Sequence, residues 1–104
     1  MAPSRRVRIG LIGYGTWAQR VHIPSIELSQ SAVLTAVCGP DASRAQQIAS
    51  ASGAELATVH PDELISSSQV DAVLIASPND AHMAPTLAAA HAGKAVLCEK
   101  PLAV

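Results

Sequence analysis

The residues in this sequence best placed to do chemistry begin at Gly13. An aliphatic run, Val7 to Ile12, breaks there into Gly13-Tyr14-Gly15-Thr16-Trp17-Ala18, a G-x-G-x-x-A spacing. In such a spacing the first glycine lets the chain turn sharply off a strand. The second removes a side chain so that a pyrophosphate can approach the backbone, and the small third residue lets the next helix pack closely on the strand. The helix is expected from about Thr16, so Thr16 and Trp17 open it, where unpaired N–H groups and the positive dipole end face an anion. Tight turns use small residues everywhere, and the spacing alone says little. Its meaning comes from its place, after a strand pattern, before a helical one and close to the N-terminus.

Three further strand exits carry polar or special residues. Gly39-Pro40-Asp41 follows one, with Arg44 just beyond. Ser77-Pro78-Asn79-Asp80 follows another, and Glu99-Lys100-Pro101 a third. A lysine just past the C-terminal end of a buried strand can hydrogen-bond a hydroxyl or stabilise negative charge developing on oxygen. On the residues alone, a solvated lysine at a strand exit is the simpler reading of Lys100. Asn79 after a proline is likewise an ordinary turn residue.

The elements that must position these residues follow from the hydrophobic pattern. Val7 to Ile12 is nearly continuous in apolarity, as a central parallel strand buried on both faces should be. Pro24 cannot continue a helix without losing a backbone bond, so a break is expected near His22-Ile23-Pro24, with a short helix restarting toward Leu28. Ala32 to Cys38 is the second strand, ended by Gly39-Pro40. From Asp41 the pattern is helical, with Ala45, Ile48, Ala49 and Ser52 on one face and Gly53 as its stop. Glu55 to Val59 is a short third strand, and Pro61-Asp62-Glu63 opens a short helix with Leu64 and Ile65. Val70 to Ala76 is the fourth strand. A helix capped by Asp80 is expected through Ala92, its apolar face including Met83, Leu87 and Ala90 and its end at Gly93. Ala95 to Cys98 is the fifth strand. Strands alternating with helices predict an α/β fold, a doubly wound parallel sheet with its ligand crevice at the strand C-terminal ends.

Composition narrows the function. At 104 residues the chain is one domain. Seven Lys and Arg against eight Asp and Glu give a net charge of −1, so nucleic acid is not the expected partner; Arg5, Arg6 and Arg8 make only a short basic start. No apolar run approaches the roughly 20 residues of a membrane span, and no secretion signal opens the chain, so a cytoplasmic protein is expected. Cys38 and Cys98 lie near strand ends as buried free thiols. They and the scattered His22, His60, His82 and His91 lack metal-ligand spacing, and no metal is expected.

With these residues assembled, the sequence from Val7 to Val104 resembles the N-terminal domain of the Gfo/Idh/MocA family, the glucose-fructose oxidoreductase and inositol dehydrogenase group. The stretches that carry it are I-G-L-I-G-Y-G-T-W-A with H-I-P after it, A-V-C-G-P-D-A-S-R-A, V-D-A-V-L-I-A-S-P-N-D-A-H and A-G-K-A-V-L-C-E-K-P-L-A. The resemblance implies an NAD(P)-binding Rossmann fold and hydride transfer to or from a sugar-like or polyol substrate. It implies that Glu99-Lys100-Pro101 lies beside the nicotinamide ribose and substrate, with Lys100 as the catalytic lysine. Ser77 and Asn79 correspond to the family's cofactor-contacting loop. The family's further helix and strand and its mostly β substrate domain, which carries the general acid–base histidine, lie outside residues 1–104. This chain is therefore expected to be a truncated dinucleotide-binding domain, inactive alone. The alternative is a non-catalytic nucleotide-binding or redox-sensing module. A homo-oligomer is compatible with the sequence, which leaves oligomeric state open.

One departure bears on the cofactor. Where an NAD enzyme places an acid on the adenosine ribose, at the end of strand two, this chain has Gly39, and the acid comes two residues later at Asp41. Losing that acid removes both its hydrogen bonds to the ribose and its repulsion of a 2′-phosphate. With Arg44 nearby as a phosphate partner, NADP is expected to be accepted at least as well as NAD.

Overall fold

The computed structural model describes residues 6–13, 23–76 and 83–98. In chain order these form β1 (Val7–Ile12), α1 (Ile23–Leu28), β2 (Ala32–Cys38), α2 (Ala42–Ser52), β3 (Leu56–Thr58), α3 (Pro61–Ser66), β4 (Ala72–Ile75), α4 (Met83–His91) and β5 (Ala95–Cys98). All pairings are parallel and the strand order is β3-β2-β1-β4-β5. The chain moves outward from β1 to β3 and then crosses back to β4 on the other side of β1. That reversal between β1 and β4 is the switch point of a doubly wound sheet.

Strand pleating divides the core in two. Ile9 and Leu11 of β1 join Leu34, Val37 and Leu74 under α1 and α2, which contribute Ile23, Ile26, Ala45, Ile48 and Ala49. On the opposite face Ile12, Ala36, Cys38, Val73 and Ile75 pack against Leu64, Ile65, Val70 and Ala89. Leu34 and Val37 share a face although three residues apart, because the β1–β2 register steps from Ile9↔Leu34 to Gly10↔Ala36 and leaves Thr35 as an extra residue. The Thr35 hydroxyl donates to the Gln69 carbonyl at 2.8 Å, tying this bulge to the α3–β4 connection.

The same connection is held from two other sides. Arg8 donates from Nε and a terminal nitrogen to the two carboxylate oxygens of Asp71, at 3.1 and 2.9 Å, while the Asp71 amide donates to the Arg8 carbonyl at 2.7 Å. Lys94 Nζ donates to the Ser67 carbonyl at 2.7 Å and also to that of Val70. Arg8 is thus a strand clamp rather than part of a basic surface.

Helix ends follow the chemistry of their residues. Asp41 caps α2 by accepting the Arg44 amide at 3.1 Å, and Gly53 ends it in the left-handed region at φ 77°. Pro24 stands second in α1 and Pro61 first in α3, where a missing N–H costs nothing. The third and fourth strands are shorter than the pattern suggests, at Leu56–Thr58 and Ala72–Ile75. A larger correction concerns α4. Leu87 is 53% exposed and Ala90 is exposed, whereas Ala89 is fully buried, with Ala88 packed beside it. Apolar residues surround this helix, so periodicity does not fix which side is inward. The small side chains win because they let the helix lie close to the sheet.

Gly10 permits a close approach of α3 to β1. A Cβ built there would stand 2.5 Å from Leu64 Cδ2 and 2.9 Å from its Cγ, and Leu64 is fully buried. Gly10→Ala should therefore destabilise by about 1–3 kcal/mol through overpacking, lowering Tm by roughly 4–8 °C per kcal/mol. In a double-variant cycle with Leu64→Ala the combined loss should fall short of the sum, which thermal melts will test.

Cys38, a free thiol 2% exposed, has its pKa pushed up from 9.0 to about 11, first by burial and then by the negative charge of Glu63. Between these values the unfolded chain has lost the thiol proton while the folded one keeps it, so stability should decline as pH rises from 9 to 11. Cys38→Ala should flatten that part of a pH–stability curve; an unchanged slope would remove Cys38 as its origin.

Candidate functional site at the strand C-terminal edge

The site is built from the ends of the strands. The Gly39 amide donates to the Thr58 carbonyl at 3.2 Å, the Gly13 amide to the Cys38 carbonyl at 2.8 Å, and the Ala76 amide to the Ile12 carbonyl at 2.7 Å. These bonds stitch the exits of β3, β2, β1 and β4 into one continuous rim. Ile12, Ile75 and Cys98 lie in register across β1, β4 and β5, so the fifth strand ends at the same edge.

Gly13 is the turning point of that rim. Its φ of 94° lies where an L side chain is strained, so the sharp departure from β1 requires glycine. Gly13 is buried, flanked through its hydrogen bonds and its neighbour Ile12 by β2 and β4. A backbone bare of side chain at the switch point fits a pyrophosphate, whose charge is met by main-chain amides rather than side chains. At the end of β2, Gly39 is also buried, and it presents no acid toward the rim. The Asp41 carboxylate, two residues on, is directed to the Arg44 amide as the α2 cap. Arg44 itself is an exposed residue in the first turn of α2.

Of the residues singled out from sequence, Gly13, Gly39, Asp41 and Arg44 are thus brought to one end of the sheet. Gly15, Thr16, Trp17, Ser77, Asn79, Glu99, Lys100 and Pro101 lie outside the described residues, as do His22, His82 and the Asp80 cap. Among the described residues no group of three or more His, Cys, Asp or Glu comes together. No helix there is long and apolar enough to cross a membrane.

Sequence reasoning missed Thr58. It is a buried polar residue, 7% exposed, and it has three hydrogen-bonding tasks. Its carbonyl receives Gly39, its hydroxyl donates to Glu63 Oε1, and the same hydroxyl accepts the His60 amide at 3.0 Å. A threonine closing a short strand, with an acid in the first turn of the next helix, was the available signal. Beyond it, His60, Pro61, Asp62 and Pro85 line a cavity of about 250 Å³ between the starts of α3 and α4.

Comparison with known proteins agrees with this geometry. Residues 7–104 match the model of the Gfo/Idh/MocA group, the oxidoreductase family with an NAD-binding Rossmann fold. An inositol 2-dehydrogenase/D-chiro-inositol 3-dehydrogenase from Shouchella clausii is 47% identical over 93% of this chain and 28% of its own length. Among solved structures, a 3-ketoreductase from Actinomadura kijaniata, in complex with NADP and TDP-benzene, superposes with a TM-score of 0.89 at 32% identity. The match covers 95% of this chain and 30% of that one. Apo scyllo-inositol dehydrogenase from Lactobacillus casei gives a TM-score of 0.89 at 28% identity, covering 99% and 30%. This chain spans less than a third of the length of each. The parallel sheet, the glycine turn at its switch point and the match over residues 7–104 together make the chain a member of the Gfo/Idh/MocA oxidoreductase family, carrying its NAD-binding Rossmann fold.

Proposed function

We propose that the chain is the cofactor-binding part of an NAD(P)-dependent oxidoreductase that transfers a hydride between a nicotinamide dinucleotide and a sugar-like or polyol substrate. The observation that carries this reading is the Gly13 turn, at φ 94° on the rim between β2 and β4. The relatives support the substrate class: two are inositol dehydrogenases and one is a ketoreductase. The nicotinamide ring supplies the hydride chemistry when bound.

The chain's own residues divide that work. Gly13 leaves the backbone open to the pyrophosphate, and Gly15, Thr16 and Trp17, which follow it in the sequence, are assigned to the same phosphates. Gly39, Asp41 and Arg44 border the adenosine ribose, while Ser77 and Asn79 edge the nicotinamide half. Lys100, between Glu99 and Pro101, acts on substrate oxygen, donating a hydrogen bond and countering negative charge as the carbon–hydrogen bond is made or broken. The residues that complete acid–base catalysis are assigned to a substrate domain of the longer enzyme, and the isolated chain binds cofactor without turnover.

Cofactor choice follows from the α2 start. With Gly39 offering no carboxylate and Asp41 engaged with the Arg44 amide, repulsion of a 2′-phosphate is weakened, and Arg44 is close by in the chain to pair with it. NADP should bind at least as tightly as NAD in calorimetric titrations at one ionic strength. Gly39→Asp should then shift the ratio toward NAD by on the order of tenfold, about 1.4 kcal/mol. A clear preference of the unmodified protein for NAD would mean that another group reads the ribose. Gly15→Val should abolish binding of either dinucleotide while the circular dichroism spectrum is kept; equal binding would remove the pyrophosphate assignment.

In the full-length enzyme, Lys100→Ala should lower kcat by about 100-fold or more, the scale of losing one charge-stabilising donor. Unchanged turnover would return Lys100 to a solvated position at a strand exit.

A further inference from the structure

The connection from β2 to α2 is three residues long, Gly39-Pro40-Asp41, and on the cofactor reading it borders the adenosine ribose. Its far end is fixed by the Asp41 cap on α2. Its near end is fixed by the Gly39 amide, which donates to the Thr58 carbonyl at 3.2 Å, and Pro40 has no N–H with which to add a second bond. The strand that supplies this carbonyl, β3, is only Leu56–Thr58, and it lies at the edge of the described sheet, paired with β2. Thr58 is its last residue. The ends of short edge strands open most readily, and opening here would release Gly39.

The Thr58 side chain opposes that opening. At many helix starts an acid at the third helical position accepts directly from the amide of the capping residue. His60 caps α3 without a side-chain bond, and Glu63 is that third residue. Between them stands the Thr58 hydroxyl, which accepts the His60 amide at 3.0 Å and donates to Glu63 Oε1. The directions are forced, because an amide N–H only donates and a carboxylate only accepts. The hydroxyl is thus a relay that draws the end of β3 into the first turn of α3. Thr58 is 7% exposed, so water competes poorly for these bonds. α3 is itself seated on the central strand by Leu64 against Gly10, and the relay passes that fixed position to the edge strand. The negative charge of Glu63 also acts on the Cys38 thiol, which places its carboxylate near the end of β2.

We propose that Thr58 is a positioning residue for the cofactor: its carbonyl holds the connection from Gly39 to Asp41 where the adenosine half binds, and its hydroxyl, with Glu63, ties that carbonyl to α3. The proposal rests on the cofactor reading above and adds to it a residue that acts on the ligand only through Gly39. Its effect is therefore confined to one half of the dinucleotide. The nicotinamide half, assigned to residues after β4 and β5, lies on the other side of β1 from β3.

The test uses the full-length enzyme and three probes, NADP and its two halves, adenosine 2′,5′-bisphosphate and nicotinamide mononucleotide. Thr58→Val nearly keeps the side-chain shape and removes the hydroxyl. It should weaken binding of the adenosine bisphosphate by about fivefold, the scale of one net hydrogen bond, and leave nicotinamide mononucleotide unchanged. KM for NADP should rise by a similar factor while kcat is kept. Thr58→Ser should restore the original values, and hydrogen exchange at the Gly39 amide should quicken in the valine variant and return in the serine one. Glu63→Ala and Glu63→Gln carry the test to an exposed side chain, and they decide it if thermal melts show that Thr58→Val does not fold. Both variants lose the charge but glutamine alone keeps an acceptor oxygen, so the adenosine bisphosphate should bind the alanine variant more weakly than the glutamine one. Equal weakening of the two halves, or unchanged binding of both, would overturn the positioning role and leave the cofactor reading intact. An unmodified enzyme that binds no dinucleotide would overturn both.

Discussion

A helix can lie on a sheet only as close as the side chains between them allow, and at the centre of this sheet one of those side chains is missing. Gly10 lets Leu64 rest directly on the backbone of β1. That contact seats α3, the helix of the long crossover from β3 to β4. The position of α3 in turn determines where its first turn meets Thr58, through the Thr58–Glu63 hydrogen bond. Thr58 then holds Gly39. An absence of atoms in the middle of β1 is thus transmitted to the rim where the ligand chemistry is assigned.

The two ends of the sheet solve different problems. At the N-terminal edge, charged and hydroxyl side chains, Arg8 with Asp71, Lys94 and Thr35, are spent on backbone carbonyls and on each other. At the C-terminal edge the described contacts along the rim are mainly backbone to backbone, and the amides that donate them belong to glycine and alanine. This keeps bulky and charged side chains off the rim where an anionic ligand must approach, and it places the Arg8–Asp71 ion pair at the opposite end. Rigid support at one end and bare backbone at the other is a physical division of labour within one layer of strands.

How much of this was legible in the sequence depends on the range of the interaction. The bounds of β1, β2 and β5 were readable because apolar runs stop at Gly13, Gly39 and the Glu99-Lys100-Pro101 exit. The α2 cap at Asp41 and its glycine stop are local chemistry and were equally readable. The Gly10–Leu64 contact, the Thr35 bulge and the tasks of Thr58 were not, because each joins segments far apart in the chain. The face of α4 was misread since an alanine-rich helix has no single hydrophobic side. Within the candidate site, Gly13 was readable as a turn, whereas the direction of Asp41 was open until its bond to Arg44 was seen. Lys100, Asn79 and their neighbours owe their roles to resemblance and chemical type, since they lie outside the described residues.

The Arg8–Asp71 clamp joins residues 63 positions apart in the chain, and it closes β1 onto β4. During synthesis β1 emerges early, and β2 can cover one of its edges soon after. Its other edge has no partner until Asp71 and β4 have left the ribosome. In that interval the central strand of the sheet exposes a row of unpaired backbone groups, the arrangement that invites association with another chain. The order of strands that creates the ligand crevice therefore also leaves β1 with one open edge until β4 is made, and the close of that interval is marked by the arrival of Asp71.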